Sequence, residues 1–91
     1  MELHDLNTNE LISQKSLSAL IWLVNHGREL EFRIDNTVCF ISRSNSAKNV
    51  SLWVNRSEQS FDSMEALIEK SSINQKPFLQ IWDDAEIETL F

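Results

Sequence analysis

Apolar residues recur at helical spacing in the first third of the chain, and they predict an amphipathic helix. Gly27 follows this stripe at a point where a helix commonly ends on a left-handed residue. The apolar positions are Leu17, Leu20, Ile21 and Val24.

The start of this helical region is predicted near Asn7. With Asn7 as N-cap, Glu10 takes the third helical position of a capping-box variant. A polar break over residues 14–16 interrupts the apolar stripe. The pattern therefore allows one long helix, or a short turn followed by a helix over about residues 17–26, and the break favours the second alternative.

From residue 29 the hydrophobic period changes from helical to two, which is typical of strands. In the first run, Leu30, Phe32 and Ile34 alternate with charged residues. The second run is rich in β-formers and apolar on both faces at its middle. In the third, Trp53 points away from the face of Val50, Leu52 and Val54. Three runs joined by short connections, including a polar loop over 44–49, predict a three-stranded antiparallel meander. The runs cover residues 29–35, 37–43 and 50–54.

A helical period returns after residue 61. Asp62 and Glu65 have capping-box spacing, and Met64, Leu67 and Ile68 define one apolar face of the helix. Pro77 suits the first turn of a second short helix that extends to Trp82. The last seven residues fit either a helix or an edge strand. The chain is therefore predicted to be one α+β domain over residues 1–91: an N-terminal helix, a three-stranded meander, and two short C-terminal helices packed on the sheet.

Composition restricts the classes of function. The net charge is −6 and the eight basic residues are scattered, which argues against binding to nucleic acid or anionic lipid. One glycine is too few for a phosphate-binding loop. The longest apolar run, Ala19 to Val24, is too short to cross a bilayer. Neither a secretory signal nor a cysteine pair is present, so we expect a reducing, cytoplasmic location.

Two segments resemble a group of small acidic proteins of Gram-positive bacteria. The first joins Glu-Leu-Glu-Phe-Arg-Ile-Asp-Asn at 29–36 to Val-Cys-Phe-Ile-Ser at 38–42. The second joins Phe-Asp-Ser-Met-Glu-Ala-Leu-Ile-Glu at 61–69 to Ile-Trp-Asp-Asp-Ala-Glu-Ile at 81–87. Members of the group often carry glycine where this chain has Asn74-Gln75. The group has no established function, so the resemblance implies a bacterial cytosolic α+β protein and no activity.

Residues that could perform chemistry are few, and their settings favour structural roles. His4 and His26 are not spaced as a metal-binding pair on one helix, and His26 suits the negative end of a helix dipole. Cys39 lies in an apolar β-run, where a free cysteine usually fills the core. No serine has the glycine-flanked turn of a hydrolase nucleophile. We therefore expect a protein that is not an enzyme and uses no metal or cofactor.

Two features predict an interaction surface. Either a second layer covers the sheet face of Trp53, or Trp53 is exposed and can anchor a partner. The segment from Pro77 to Phe91 also contains four acids and no base, namely Asp83, Asp84, Glu86 and Glu88. They lack the layout of a calcium loop, so we expect a solvated acidic surface suited to a basic partner. The apolar residues of this segment, including Ile87 and Phe91, are expected to close the core.

The leading hypothesis is a non-catalytic protein-binding module, of the inhibitor, immunity or antitoxin-like kind, that acts through Trp53 and the acidic segment. Unpaired strand edges are also compatible with a homodimer. The alternative is a small-molecule-binding or sensor domain. Its pocket would lie between sheet and helices and would be lined by Phe32, Phe40, Trp53 or Phe78.

Overall fold

A computed structural model describes residues 3–44 and 49–91, so residues 45–48 of the predicted polar loop lie outside the described part. The two N-terminal helices are α1 (Leu3–Gln14) and α2 (Leu17–Asn25). Four strands follow: β1 (Leu30–Ile34), β2 (Thr37–Arg43), β3 (Val50–Val54) and β4 (Ser57–Phe61). The remaining elements are α3 (Met64–Lys70), β5 (Ser72–Ile73), β6 (Lys76–Pro77), α4 (Phe78–Ile81), a 3₁₀ turn (Trp82–Asp84) and β7 (Glu86–Leu90).

The main sheet has five strands in the order β4-β3-β2-β1-β7, and neighbouring strands are antiparallel. The predicted α+β class and the helix–sheet–helix order are confirmed, but the prediction of three strands is wrong. The meander continues into β4 through a turn at Asn55, whose left-handed φ of 55° suits asparagine. At the other edge, β7 returns to pair with β1. The end of the chain, for which the sequence allowed a helix or an edge strand, therefore forms a strand.

Helices cover one face of this sheet, and the core lies between them. The apolar residues of β1, β2 and β3 alternate inward, and Phe32 packs edge-on against Phe78 of α4 and Trp82 of the 3₁₀ turn. The indole N–H of Trp82 donates a 2.8 Å hydrogen bond to the carbonyl of Lys15. This bond joins the α1–α2 connection to the C-terminal segment, so both ends of the chain close the same core.

Helix boundaries differ in detail from those predicted. The helical region divides at the polar break, and α2 matches the helix predicted over about residues 17–26. The short turn expected before it is wrong, because residues 3–14 form the helix α1. Asn7 therefore lies inside α1 and donates its side-chain amide to the Leu3 carbonyl. Ser16 caps α2, and Ser63 rather than Asp62 caps α3, because each hydroxyl accepts a bond from the amide three residues later. Gly27 has a φ of 90°, which confirms the left-handed residue after α2.

The short helix predicted after Pro77 is present, and most of its apolar residues enter the core. Pro77 directly precedes α4, and Phe78, Ile81 and Trp82 are buried in the core. Ile87 packs partly against that core. Phe91, in contrast, is 57% exposed and lies on the opposite side of the sheet. Among the described residues, no helix combines the length and apolar character needed to cross a bilayer.

Candidate functional site

The uncovered side of the main sheet carries a row of apolar side chains among acids, and we call it the open face. Its positions follow from the strand register, because residues directly opposite each other point to the same side. The helices contact the sheet from the side of Phe32, which leaves this side without a second layer among the described residues. The residues of the open face include Glu31, Arg33, Val38, Phe40, Trp53, Glu58 and Phe91.

Phe40 of β2 and Trp53 of β3 form the centre of the open face. They are direct antiparallel partners in the register, which is an arrangement in which aromatic side chains pack well. Both are half-buried, and Val38 on the same side is 42% exposed. The face that water normally reaches in an antiparallel sheet is polar. Here it presents two large aromatic rings at its middle.

Phe91 extends the aromatic row across β1. Its ring centroid lies 5.8 Å from that of Phe40 in an edge-on arrangement. Its amide donates a 2.8 Å hydrogen bond to the Glu29 carbonyl, and the Arg28 guanidinium donates to its main-chain oxygen. The position of this exposed ring is therefore fixed by the backbone beside β1.

Acidic side chains flank the aromatic pair on both sides. Glu31 lies opposite Phe40 on β1, and Glu58 lies opposite Trp53 on β4. The Ser51 hydroxyl donates a 2.6 Å hydrogen bond to Glu58 Oε2, which holds that carboxylate next to Trp53. Each aromatic ring of the pair thus has a carboxylate as its outer neighbour.

The four C-terminal acids do not form one patch. Glu86 lies opposite Arg33 in the register of β1 and β7, and Glu88 forms a 3.5 Å ion pair with the Arg33 guanidinium. These two therefore border the open face. Asp83 and Asp84 belong to the 3₁₀ turn, whose Trp82 packs into the core on the other side of the sheet. The Asp83 carbonyl accepts a 2.7 Å bond from Lys15 Nζ.

Cys39 has the surroundings of a core residue. Its side chain is fully buried on the covered side of β2, and burial raises the pKa of the Cys39 thiol to about 11. A nucleophilic cysteine needs the opposite shift, toward the thiolate at neutral pH. The arrangement does not activate this sulfur.

The two histidines meet at Trp22, which their sequence spacing did not predict. The His26 ring stacks on the Trp22 indole at 3.8 Å, and His4 approaches the same indole edge-on at 4.8 Å. His26 Nδ1 also lies 2.7 Å from the Trp22 carbonyl oxygen. No carboxylate or thiol joins them: within the described ranges, no three His, Cys, Asp or Glu side chains are arranged to hold a metal ion.

A surface cleft of about 330 Å³ lies at one end of the sheet, and we call it the turn cleft. It is bounded by the β1–β2 turn, the β5–β6 turn and the end of the α4 segment. Asn74 Nδ2 donates a 2.9 Å hydrogen bond to Thr37 Oγ1, which ties the second turn to the start of β2. The cleft is lined by Ile34, Asp35, Ile73, Asn74, Lys76, Ile81 and Asp84.

The aromatic residues expected to line a pocket do not line this cleft. Phe32 and Phe78 are fully buried and in edge-on contact, which fills the space between sheet and helices at that point. Phe40 and Trp53 lie on the open face. The sequence singled out Trp53 as a candidate surface residue, but it placed Phe40 only in the alternative pocket. The signal for its true position is that the β2 run is apolar on both faces, which puts a second aromatic residue outside the core.

Comparison with protein-family models, with curated proteins and with solved structures found no match for this chain.

Proposed function

We propose that this protein is a non-catalytic protein-binding module whose docking surface is the open face, and that its partner presents a basic segment. Inhibitor, immunity and antitoxin-like proteins belong to this class. The observation that carries the proposal is the Phe40–Trp53 pair on a sheet side without a covering layer, with a carboxylate beyond each ring. The proposed setting is the bacterial cytosol, in keeping with a single cysteine.

The aromatic pair supplies the affinity in this proposal. Large aromatic side chains near the centre of an interface contribute most of the binding free energy, because they remove much apolar surface from water. Phe40 and Trp53 are held on adjacent strands by the sheet ladder, so little conformational entropy is lost when a partner covers them. Phe91 enlarges the patch in the direction of β7.

The flanking acids determine which partner fits. Glu31 and Glu58 adjoin the rings. Arg33, a base on the same side of the sheet, is engaged with Glu88. A lysine or arginine of a partner could approach a carboxylate and the face of an aromatic ring together, which adds a cation–π contribution. The net charge of −6 would also speed encounter with a basic protein.

This proposal revises the predicted acidic surface. Glu86 and Glu88 border the open face beside Arg33, and they stay in the proposed docking surface together with Trp53. Asp83 and Asp84 sit in the 3₁₀ turn, so we assign them no part in docking. The acidic contribution instead comes chiefly from Glu31 and Glu58.

A selection from a random peptide library tests both the surface and the chemistry of its partner. The immobilised protein is the bait, and Trp53→Ala is the counter-bait. A matched control is Leu79→Ala, since Leu79 is a 54% exposed apolar residue of α4, away from the open face. We expect enriched peptides to contain lysine or arginine, to bind Leu79→Ala normally, and to bind Trp53→Ala at least about tenfold more weakly.

Further measurements test the role of the carboxylates and whether the occupant of the open face is a basic partner or a second copy of the chain. Replacing Glu31 and Glu58 by glutamine should weaken binding, and added salt should do the same to the parent protein. Enriched peptides that are acidic, or that bind Trp53→Ala equally well, would contradict the proposal. Sedimentation of the unliganded protein tests a second copy as the occupant: a dimer that Trp53→Ala dissociates would make the open face a self-association surface instead.

A further inference from the structure

The turn cleft differs from the open face in shape and chemistry, and it has the layout of a small-molecule site. Three chain segments form its walls, and each contributes an isoleucine that is almost fully buried. A polar residue follows two of these isoleucines directly, and Asp84 lies three positions after the third. The apolar groups are Ile34, Ile73 and Ile81, and the polar groups are Asp35, Asn74, Lys76 and Asp84.

The charged groups of the cleft are not engaged with one another. Throughout the described ranges, the one ion pair within 4.0 Å joins Arg33 to Glu88, so Asp35, Lys76 and Asp84 have none. Asp35 and Asp84 both line the cleft, and their negative charges favour a cationic group there. The Lys76 ammonium on the same cleft favours an anionic or carbonyl oxygen. The cleft therefore offers sites for both charges of a zwitterion.

The walls are also fixed in position. The β1–β2 and β5–β6 turns are tied by the Asn74–Thr37 hydrogen bond of 2.9 Å. The cleft volume of about 330 Å³ is at the small end of the range for ligand sites, so it suits a molecule of amino-acid size. The isoleucines are only 1–5% exposed, so they close the inner wall of the cleft, and its polar groups are what a ligand would contact.

From this arrangement we infer that the turn cleft binds a small zwitterionic amino compound of the α-amino-acid class. The ammonium group of the ligand would be attracted to Asp35 and Asp84, and its carboxylate to Lys76. This inference is independent of docking at the open face, because no residue belongs to both surfaces.

Titration of the ¹⁵N-labelled protein with L-leucine, followed by amide chemical shifts, tests this inference. We expect saturable shifts at residues 35, 74, 76 and 84, with half-saturation at about 1 mM, which is reasonable for so small a ligand. N-acetyl-L-leucine lacks the ammonium group and 3-methylbutylamine lacks the carboxylate. Each should bind about tenfold more weakly than L-leucine, since each loses one charged contact.

Variants identify the groups responsible. Asp84→Asn and Lys76→Gln should each weaken L-leucine binding about tenfold, whereas Glu65→Gln on α3 removes an exposed charge elsewhere and should have no effect. Trp53→Ala should also leave the titration unchanged. The inference is overturned if L-leucine produces no saturable shift up to about 20 mM. It is equally overturned if CaCl₂ shifts the same amides and L-leucine does not, since the cleft would then be only an acidic cation site.

Discussion

The indole nitrogen of Trp82 lies 2.8 Å from the carbonyl oxygen of Lys15 and donates a hydrogen bond to it. Lys15 has a left-handed φ of 51°, in the connection between α1 and α2. The Trp82 ring is buried and stacks on Phe78, with 5.3 Å between ring centroids. One tryptophan thus joins the N-terminal helices to the C-terminal segment and fills the core between them.

Loss of this bond should lower stability without changing the fold. In Trp82→Phe the aromatic packing is largely kept, but the Lys15 carbonyl loses its donor and some ring volume is lost. We expect the free energy of unfolding to fall by about 1–3 kcal/mol in urea denaturation, with an unchanged m-value. Trp53→Phe, on the open face, should change stability by less than about 0.5 kcal/mol. Equal effects of the two substitutions would show that the Trp82–Lys15 bond contributes nothing measurable.

The β5–β6 turn contains strain that a glycine would relieve. Asn74 and Gln75 have φ values of 54° and 69°, and glutamine has no special tolerance for the left-handed region. Gln75→Gly should therefore raise the free energy of unfolding by about 0.5–1 kcal/mol. Gln80→Gly is the control, because Gln80 lies within helix α4. Glycine there should lower the free energy of unfolding by a similar amount. Destabilisation by both substitutions would rule out strain at Gln75.

Burial of Cys39 makes stability fall at alkaline pH. The thiol titrates at its ordinary pKa of 9.0 when the chain is unfolded and at about 11 when it is folded. Between these values the unfolded state binds fewer protons, so rising pH favours unfolding by up to about 1.4 kcal/mol per pH unit. Below pH 9 the thiol is protonated in both states, so its contribution to the free energy of unfolding does not change with pH. The stability difference between the parent and Cys39→Ala should thus shrink from pH 9 to 11, and a constant difference would contradict a buried thiol.

The same burial predicts low reactivity of Cys39. At pH 8 a thiol-specific disulfide reagent should modify the folded protein at least about a hundredfold more slowly than the protein in denaturant, because reaction needs an accessible thiolate. Arg33→Ala serves as a control, since it removes only an exposed ion pair and should leave the rate for the folded protein unchanged. Rapid modification of the folded parent would place Cys39 at the surface.

Much of the fold is encoded in local patterns, and the missed parts depend on distant pairing. The first and third strands follow from alternation of apolar residues, and the second follows from its β-forming residues; both are local signals. Strand β4 has the sequence Ser-Glu-Gln-Ser-Phe, in which Phe61 is the one residue that favours a strand, so propensity indicates it only weakly. It forms because the Asn55 turn returns the chain to the free edge of β3. Strand β7 pairs Ile87 with Phe32, and a contact across such a separation in sequence leaves no local pattern.

The candidate surface was predictable only in part for the same reason. Trp53 is identified from the sequence because it opposes three apolar residues of its own strand. Its neighbours on the open face come from other strands: Phe40 from β2 and Phe91 from the end of the chain. The four C-terminal acids are adjacent in sequence, yet the change from 3₁₀ turn to strand directs Asp84 to the turn cleft and Glu88 to Arg33.

Site-specific photo-crosslinking tests the central claim most directly. A photoreactive phenylalanine derivative is placed at position 53 or, as control, at position 79, and each protein is irradiated in an extract of the cells that make it. We predict an adduct with a basic polypeptide from position 53 alone, diminished by added salt and by Glu31→Gln with Glu58→Gln. The same adduct from both positions, or one indifferent to salt and to loss of these two carboxylates, would contradict the proposal that the open face binds a basic partner.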